Sequence, residues 1–209
     1  MAAPQEASIK IAVVVLAAGS SSRMGEPKQL LPADNDILIT KAVSTALATN
    51  VFKVVVVLGH RAQDIRDRIQ HLPVSILINE QWAKGMGSSI KCGISFLKEN
   101  SLNAAILMTC DQPLLTTNHL NALILKYQEN KGSIVASRYS GLSGIPALFD
   151  QSFFDRLLQI DDQQGAKKVI EENRDHVFPV EFAGGNIDLD TPEDYRAYLQ
   201  LIDKGKNIQ

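Results

Sequence analysis

Glycine, serine and two cations crowd into one loop directly after an apolar run. The stretch reads Leu16-Ala17-Ala18-Gly19-Ser20-Ser21-Ser22-Arg23-Met24-Gly25-Glu26-Pro27-Lys28. Small residues such as Gly19 and Ser20 let backbone N–H groups approach an anion closely. Arg23 can grip phosphate oxygens in a planar fork, and Lys28 adds a second full positive charge. Neither G-x-x-x-x-G-K-[ST] nor G-x-G-x-x-G is present, so the P-loop and dinucleotide fingerprints both fail. An NAD dehydrogenase is excluded with the second of them. The plainer reading is a solvated loop with chance charges. It loses weight because the whole pattern follows what reads as a buried strand.

Such a loop needs a rigid platform. Residues 9–17 are nearly continuous and rich in β-branched side chains, the mark of a strand covered on both faces. Residues 51–59, 74–79 and 103–110 repeat that pattern, and helical segments are predicted over 36–50, 61–70, 88–100 and 116–130. Thr116 or Thr117 is the expected N-cap of the last. Alternation of this kind predicts an α/β protein: a Rossmann-like three-layer αβα sandwich with a mostly parallel sheet. Ligands in open parallel sheets sit beyond the carboxyl ends of the strands. Those ends read Ala17-Ala18-Gly19, Gly59-His60, Asn79-Glu80 and Cys110-Asp111-Gln112-Pro113. Beyond Lys131 strands are expected at 132–138 and 144–149. Pro146 inside the second points to an edge or a bulge. Helices over 150–159 and 164–172, short strands at 177–182 and 186–190, and a last helix capped by Thr191 with Pro192 in its first turn complete the pattern.

The 209 residues fit one compact domain over 9–204, behind a disordered tail at 1–8. A net charge of −2 argues against nucleic acid as a partner. The two cysteines, Cys92 and Cys110, lack metal spacing, and Cys110 reads as a buried thiol. No signal peptide is visible, and no apolar run approaches the roughly 18 residues of a membrane span. A cytoplasmic protein without a membrane partner is expected.

Four stretches, in order, carry a family resemblance. LAAGSSSRMGEPKQLLP at 16–32 resembles the signature of the molybdenum cofactor cytidylyltransferase-like (MobA-like) NTP transferases, L-A-A-G-x-S-x-R-M-G-x-x-K-x-L-L. NEQWAKGMGSSI (79–90) is similar to their N-x-x-W-x-x-G-M-x-x-S. CDQPLLT (110–116) stands where they have Asp followed by Met-Pro or a variant, and DLDTPEDY (188–195) matches D-x-D-T-P-E-D.

The resemblance implies a sheet of the nucleotide-diphospho-sugar transferase type. Its nucleotide-binding half would span about 9–131 and its acceptor-binding half about 132–204. It also implies Mg²⁺-dependent transfer of CMP from CTP to the phosphate of molybdopterin, with release of pyrophosphate. Arg23, Lys28 and Asp111 take the catalytic roles, and Asp111 and Asp190 the metal. Mg²⁺ favours oxygen ligands and usually takes one or two protein carboxylates. A turn before proline for Asp111, and a helix start for Asp190, are the plainer alternatives. Asp188 is the less favoured ligand. The nucleotide falls to Leu16, Ala17, Ala18, Gly19, Ser20, Arg23, Lys28, His60, Asn79, Gly85 and Ser88. Ala18 favours CTP, because the family's guanine users carry glycine there. Trp82 either stacks on a ring or packs at the rim. His119 and His176 read as ordinary surface or helix residues. Gly144, Pro146 and Gly165 match the acceptor side, although Ile145 stands where the cytidylyltransferases most often have His, and Gln112 replaces a common Met. Protein partners would be a molybdoenzyme or its maturation chaperone. Alternatives are GTP as donor, a sugar or alcohol phosphate as acceptor, or a non-catalytic nucleotide-binding chaperone.

Overall fold

The computed structural model describes residues 9–206, so the expected tail at 1–8 lies outside the described residues. The chain runs β1 (Ile11–Ala17), β2 (Pro32–Ala33), β3 (Asp36–Ile37), α1 (Leu38–Leu47), β4 (Lys53–Leu58), α2 (Ala62–Ile69), β5 (Ser75–Ile78), α3 (Met86–Glu99) and β6 (Ala104–Thr109). Then follow α4 (Thr117–Glu129), β7 (Ile134–Tyr139), β8 (Leu142–Asp150), α5 (Phe154–Gln159), α6 (Lys167–Glu172), β9 (Val177–Glu181) and α7 (Pro192–Lys206).

Seven strands form one sheet in the order β5-β4-β1-β6-β8-β7-β9. Only β8 runs against its neighbours. The apolar runs belong to strands sandwiched between helices. Val13 and Val15 of β1 face a core shared with α1, α2 and α4. Ala12, Val14 and Leu16 face a second core with α3, α5 and α6. Burial on both faces is why these strands show no alternation. The expected three-layer αβα sandwich is what the chain adopts.

Three local expectations need correction. Strand β8 is not an edge, since it lies between β6 and β7. Pro146 is tolerated there because its pairing with β6 ends at Ala147 and its ladder with β7 shifts register between Ala136 and Ser137. No partner is asked for the missing N–H, so the expected bulge stands and the expected edge does not. Residues 186–190 form no strand; Leu189 N–H donates to the Asp111 carbonyl at 2.9 Å, Ile187 N–H to the Gly184 carbonyl and Asp190 N–H to the Asp194 carboxylate. Residues 36 and 37, expected to open a helix, instead form β3, which pairs with β2 in a hairpin over 32–37. That hairpin sits under α7, and Met24, Leu31, Leu38, Leu189 and Tyr198 close a third small core there.

His119 is a helix residue but not a surface one. It is buried, stacks on Phe182 at 4.4 Å, and its Nε2 lies 2.7 Å from Ser137 Oγ. Ser137 gives its single proton to the Pro146 carbonyl, so Nε2–H must donate to Ser137. Burial lowers the His119 pKa below its ordinary 6.5. The folded protein therefore binds this proton less readily than the unfolded chain. The His119 contribution is complete above pH 6.5 and falls away as the pH drops below it. Denaturant unfolding at pH 8 and pH 5 should show lower stability at pH 5, and His119→Gln should reduce that difference.

Candidate active site

The carboxyl ends of β1 and β6 open onto a cavity of about 330 Å³. One wall is Leu16, Ala17, Ala18, Gly19 and Ser20, with Lys28 and Gln29 beneath it. The second wall comes from the segment before and into α3: Trp82, Gly85, Met86 and Ser89. Thr109, Cys110 and Asp111, at the end of β6, form the third.

The first loop is folded by its own polar atoms. Ser21 takes a left-handed backbone with φ 55, and its carbonyl accepts from Met24 and Gly25 N–H. Its hydroxyl accepts from Lys28 N–H at 3.2 Å. Met24 is buried and anchors the loop to the third core. Three successive carbonyls have donors: Ala17 and Gly19 accept from Gln29 Nε2, and Ala18 accepts from His60 N–H. Gln29 is 1% exposed. The sequence reading missed it, because a glutamine among polar loop residues gives no periodic signal.

Lys28 is the electrostatic centre. Its Nζ lies 2.6 Å from Asp111 Oδ2 and 2.8 Å from Asp190 Oδ1. Arg23 reaches the other Asp190 oxygen at 2.8 Å, from a side chain 70% exposed. Burial works against charge on Lys28, but Asp111 and Asp190 outweigh it and hold its pKa above the ordinary lysine value. Burial also works to raise Asp190, yet Lys28 and Arg23 bring it below the usual carboxylate range. Asp188 goes the other way, pushed up to about 6 by desolvation and by the Asp111 and Asp190 charges. Burial lifts the Cys110 thiol to about 12, so it stays protonated at neutral pH.

Asp190 is also part of a capping arrangement. Asp194 accepts from the N–H groups of Asp190 and Thr191, and Thr191 Oγ1 accepts from Asp194 N–H. The helix-start reading and the charged-site reading of Asp190 therefore describe one geometry: the cap aims the carboxylate.

The other expected residues divide. Asn79 is buried behind the wall and donates to Ser88 and Ser89 Oγ, so it braces the cavity without lining it. His60 packs edge-on against Trp82, with ring centroids 5.1 Å apart, and stands behind the lining residues. Gly85 has φ +128 and borders the cavity directly. Gly87 is needed for contact: a Cβ there would sit 2.2 Å from the Asp161 carbonyl. Its N–H donates to the Asp162 carbonyl, and Lys91 pairs with the Asp162 carboxylate at 2.7 Å. The loop before α6 is thereby fixed to the cavity wall, which brings Gly165 against Met86 Sδ. Gly144 and Pro146 stand apart on β8, with Gly144 beneath the Tyr139 hydroxyl. Gln112 Nε2 links them to the Asp111 loop through the Ile145 carbonyl at 3.4 Å.

Two carboxylates converging on one cation give a hard, all-oxygen donor pair, which fits a divalent ion of the Mg²⁺ type. The first loop thus brings two cations, Arg23 and Lys28, to one carboxylate, Asp190, with Lys28 at the cavity itself.

Comparison with known proteins agrees. A family model described as the MobA-like NTP transferase domain matches residues 13–177. The purine catabolism protein PucB of Bacillus subtilis is 28% identical over 192 residues, covering 87% of this chain and 92% of PucB. Nicotine blue oxidoreductase of Paenarthrobacter nicotinovorans is 35% identical over 130 residues, 62% of each protein. The molybdenum cofactor cytidylyltransferase of Escherichia coli is 24% identical over 183 residues, covering 87% of this chain and 92% of that enzyme. Among solved structures, Rv0371C of Mycobacterium tuberculosis in complex with manganese superposes with a TM-score of 0.78 at 25% identity, covering 91% of this chain and 98% of that one. The family match spans well over half of the sequence and holds the loop, Lys28 and Asp111 alike; this chain belongs to the MobA-like NTP transferase domain family and is a nucleotidyltransferase.

Proposed function

We propose that the protein transfers CMP from CTP to the phosphate of a molybdopterin-type cofactor, with release of pyrophosphate and dependence on Mg²⁺. The observation that carries this reading is Lys28, held between Asp111 and Asp190 at the edge of the cavity lined by Leu16–Ser20. Triphosphate binding falls to the N–H groups of the first loop, with Arg23 and Lys28 neutralising the β and γ phosphates. Lys28 then offsets the charge that grows on the α-phosphate oxygens as the acceptor attacks. Asp111 and Asp190 would hold the divalent ion, which supplies electrostatic stabilisation of the triphosphate when bound. Manganese bound to the structural relative supports a divalent ion here.

No general base is required. A phosphate monoester has a second pKa near 6 and arrives already as a dianion at neutral pH. The task left to the protein is alignment and charge stabilisation. Ala18 at the cavity wall supports CTP, and the relatedness to a molybdenum cofactor cytidylyltransferase supports the acceptor. A second reading keeps the transfer and changes the acceptor to another phosphorylated small molecule. Ile145 and Gln112, which meet beside the Asp111 loop, favour it.

Thermal unfolding with CTP, GTP, ATP and UTP, each with and without Mg²⁺, tests the donor. Ligand at about a hundred times its dissociation constant adds roughly 2.7 kcal/mol, a shift on the order of 5–10 °C for a domain of this size. The expected result is a shift with CTP and Mg²⁺ together. A shift with GTP instead would reassign the base. Release of pyrophosphate only when molybdopterin is added would establish the acceptor.

A further inference from the structure

We infer that Gln29 is a positioning residue: it fixes which face of the loop backbone meets the phosphates. This rests on the reading of that loop as the triphosphate cradle. In a planar trans peptide, the carbonyl of one residue and the N–H of the next point in opposite directions. Gln29 Nε2 holds the Gly19 carbonyl at 2.9 Å and the Ala17 carbonyl at 3.1 Å. The Ser20 and Ala18 N–H groups are therefore turned away from Gln29. His60 N–H, at 3.0 Å, does the same for the Ala18 carbonyl and so for the Gly19 N–H.

The Gly19–Ser20 peptide is where this control matters most. Gly19 has no Cβ, and the place where one would stand has nothing within 4 Å. Neither side-chain sterics nor packing decides which way that peptide faces, because glycine takes almost any backbone angle. A half-turn would present the Gly19 carbonyl to the ligand in place of the Ser20 N–H. That would exchange a donor for an acceptor against an anion. The paired bonds from one buried amide remove this alternative. The amide is itself held, since Ser21 Oγ donates toward Gln29 Oε1 at 3.4 Å and accepts from Lys28 N–H. The backbone that carries Lys28 is thus tied to the side chain that orients the cradle.

Two substitutions separate positioning from packing. Gln29→Met keeps length and volume but loses both donors. Gln29→Glu keeps shape but sets a carboxylate against two carbonyls when ionised, and regains one donor when protonated. The measurement is calorimetric binding of inorganic tripolyphosphate with Mg²⁺ at pH 7.5 and pH 5.5, with circular dichroism to monitor folding. Gln29→Met should bind on the order of tenfold more weakly at both pH values, the scale of two lost hydrogen bonds. Gln29→Glu should be weakest at pH 7.5 and recover toward wild type at pH 5.5, relative to the wild type's own pH dependence. Should Gln29→Met fail to fold, the pH recovery within Gln29→Glu carries the test. A folded Gln29→Met with wild-type affinity, or a Gln29→Glu that shows no recovery, would overturn the assignment while leaving the cradle intact. A wild-type protein that binds neither tripolyphosphate nor nucleotide would remove the cradle and the role of Gln29 together.

Discussion

Asp111→Asn should lower turnover by on the order of a hundredfold or more while the protein stays folded. Asn keeps the size of Asp and its place before Gln112 and Pro113. It removes one of the two carboxylates that face Lys28 and would hold the divalent ion. Loss of a single group that stabilises developing charge costs about a hundred- to a thousandfold in comparable sites. Folding should survive, because Lys28 still has Asp190 at 2.8 Å and the β1–β6 ladder does not depend on the carboxylate. Steady-state pyrophosphate release, together with a thermal melt, measures both halves of this expectation. Full activity with Mg²⁺ would end the metal assignment at Asp111.

Lys28→Ala should come close to that loss, about a hundredfold in turnover, and should exceed the effect of Trp82→Ala. Trp82 is a rim residue that packs against His60 and borders the cavity, so its removal should act mainly on nucleotide affinity. Lys28→Ala has a second consequence. Without the ammonium, Asp111 and Asp190 lose the cation they share, and Mn²⁺ alone should bind more tightly than to wild type. Turnover and Mn²⁺ titration would then move in opposite directions, which general damage to the site would not produce. A Trp82→Ala defect larger than that of Lys28→Ala would shift the chemistry away from the first loop.

The parts of this molecule that were legible in its sequence are those governed by short-range rules. Continuous β-branched runs located β1, β4 and β6 to within one or two residues, since burial on both faces leaves no other pattern. Thr116 and Thr191 marked helix starts, and both side chains do accept from the backbone three residues on. Pro146 was harder. Its missing N–H allows an edge or a bulge, and only the strand order chooses between them. The 186–190 stretch alternates like a strand, but it pairs with no strand among the described residues. Within the site, Lys28 stood out as a charge in the first loop, and Asp111 and Asp190 came from the family resemblance. Gln29 was not legible, because its importance comes from which backbone carbonyls it meets. His119 shows the same limit: nothing local says that Ser137 and Phe182 will enclose it.

The main-chain bond from Leu189 to Asp111 has a consequence for when activity can arise during synthesis. The strands β1, β4, β5 and β6 are all translated by Thr109 and can pair as they emerge from the ribosome. Asp190 is made well after β6, and that bond docks it beside Asp111. A nascent chain would therefore own a folded sheet and a formed loop well before it owned the second carboxylate. Products that stop short of Asp190 would hold the sheet and the loop without the charge pair, and catalysis would begin only once the segment carrying Leu189 and Asp190 had been made and docked.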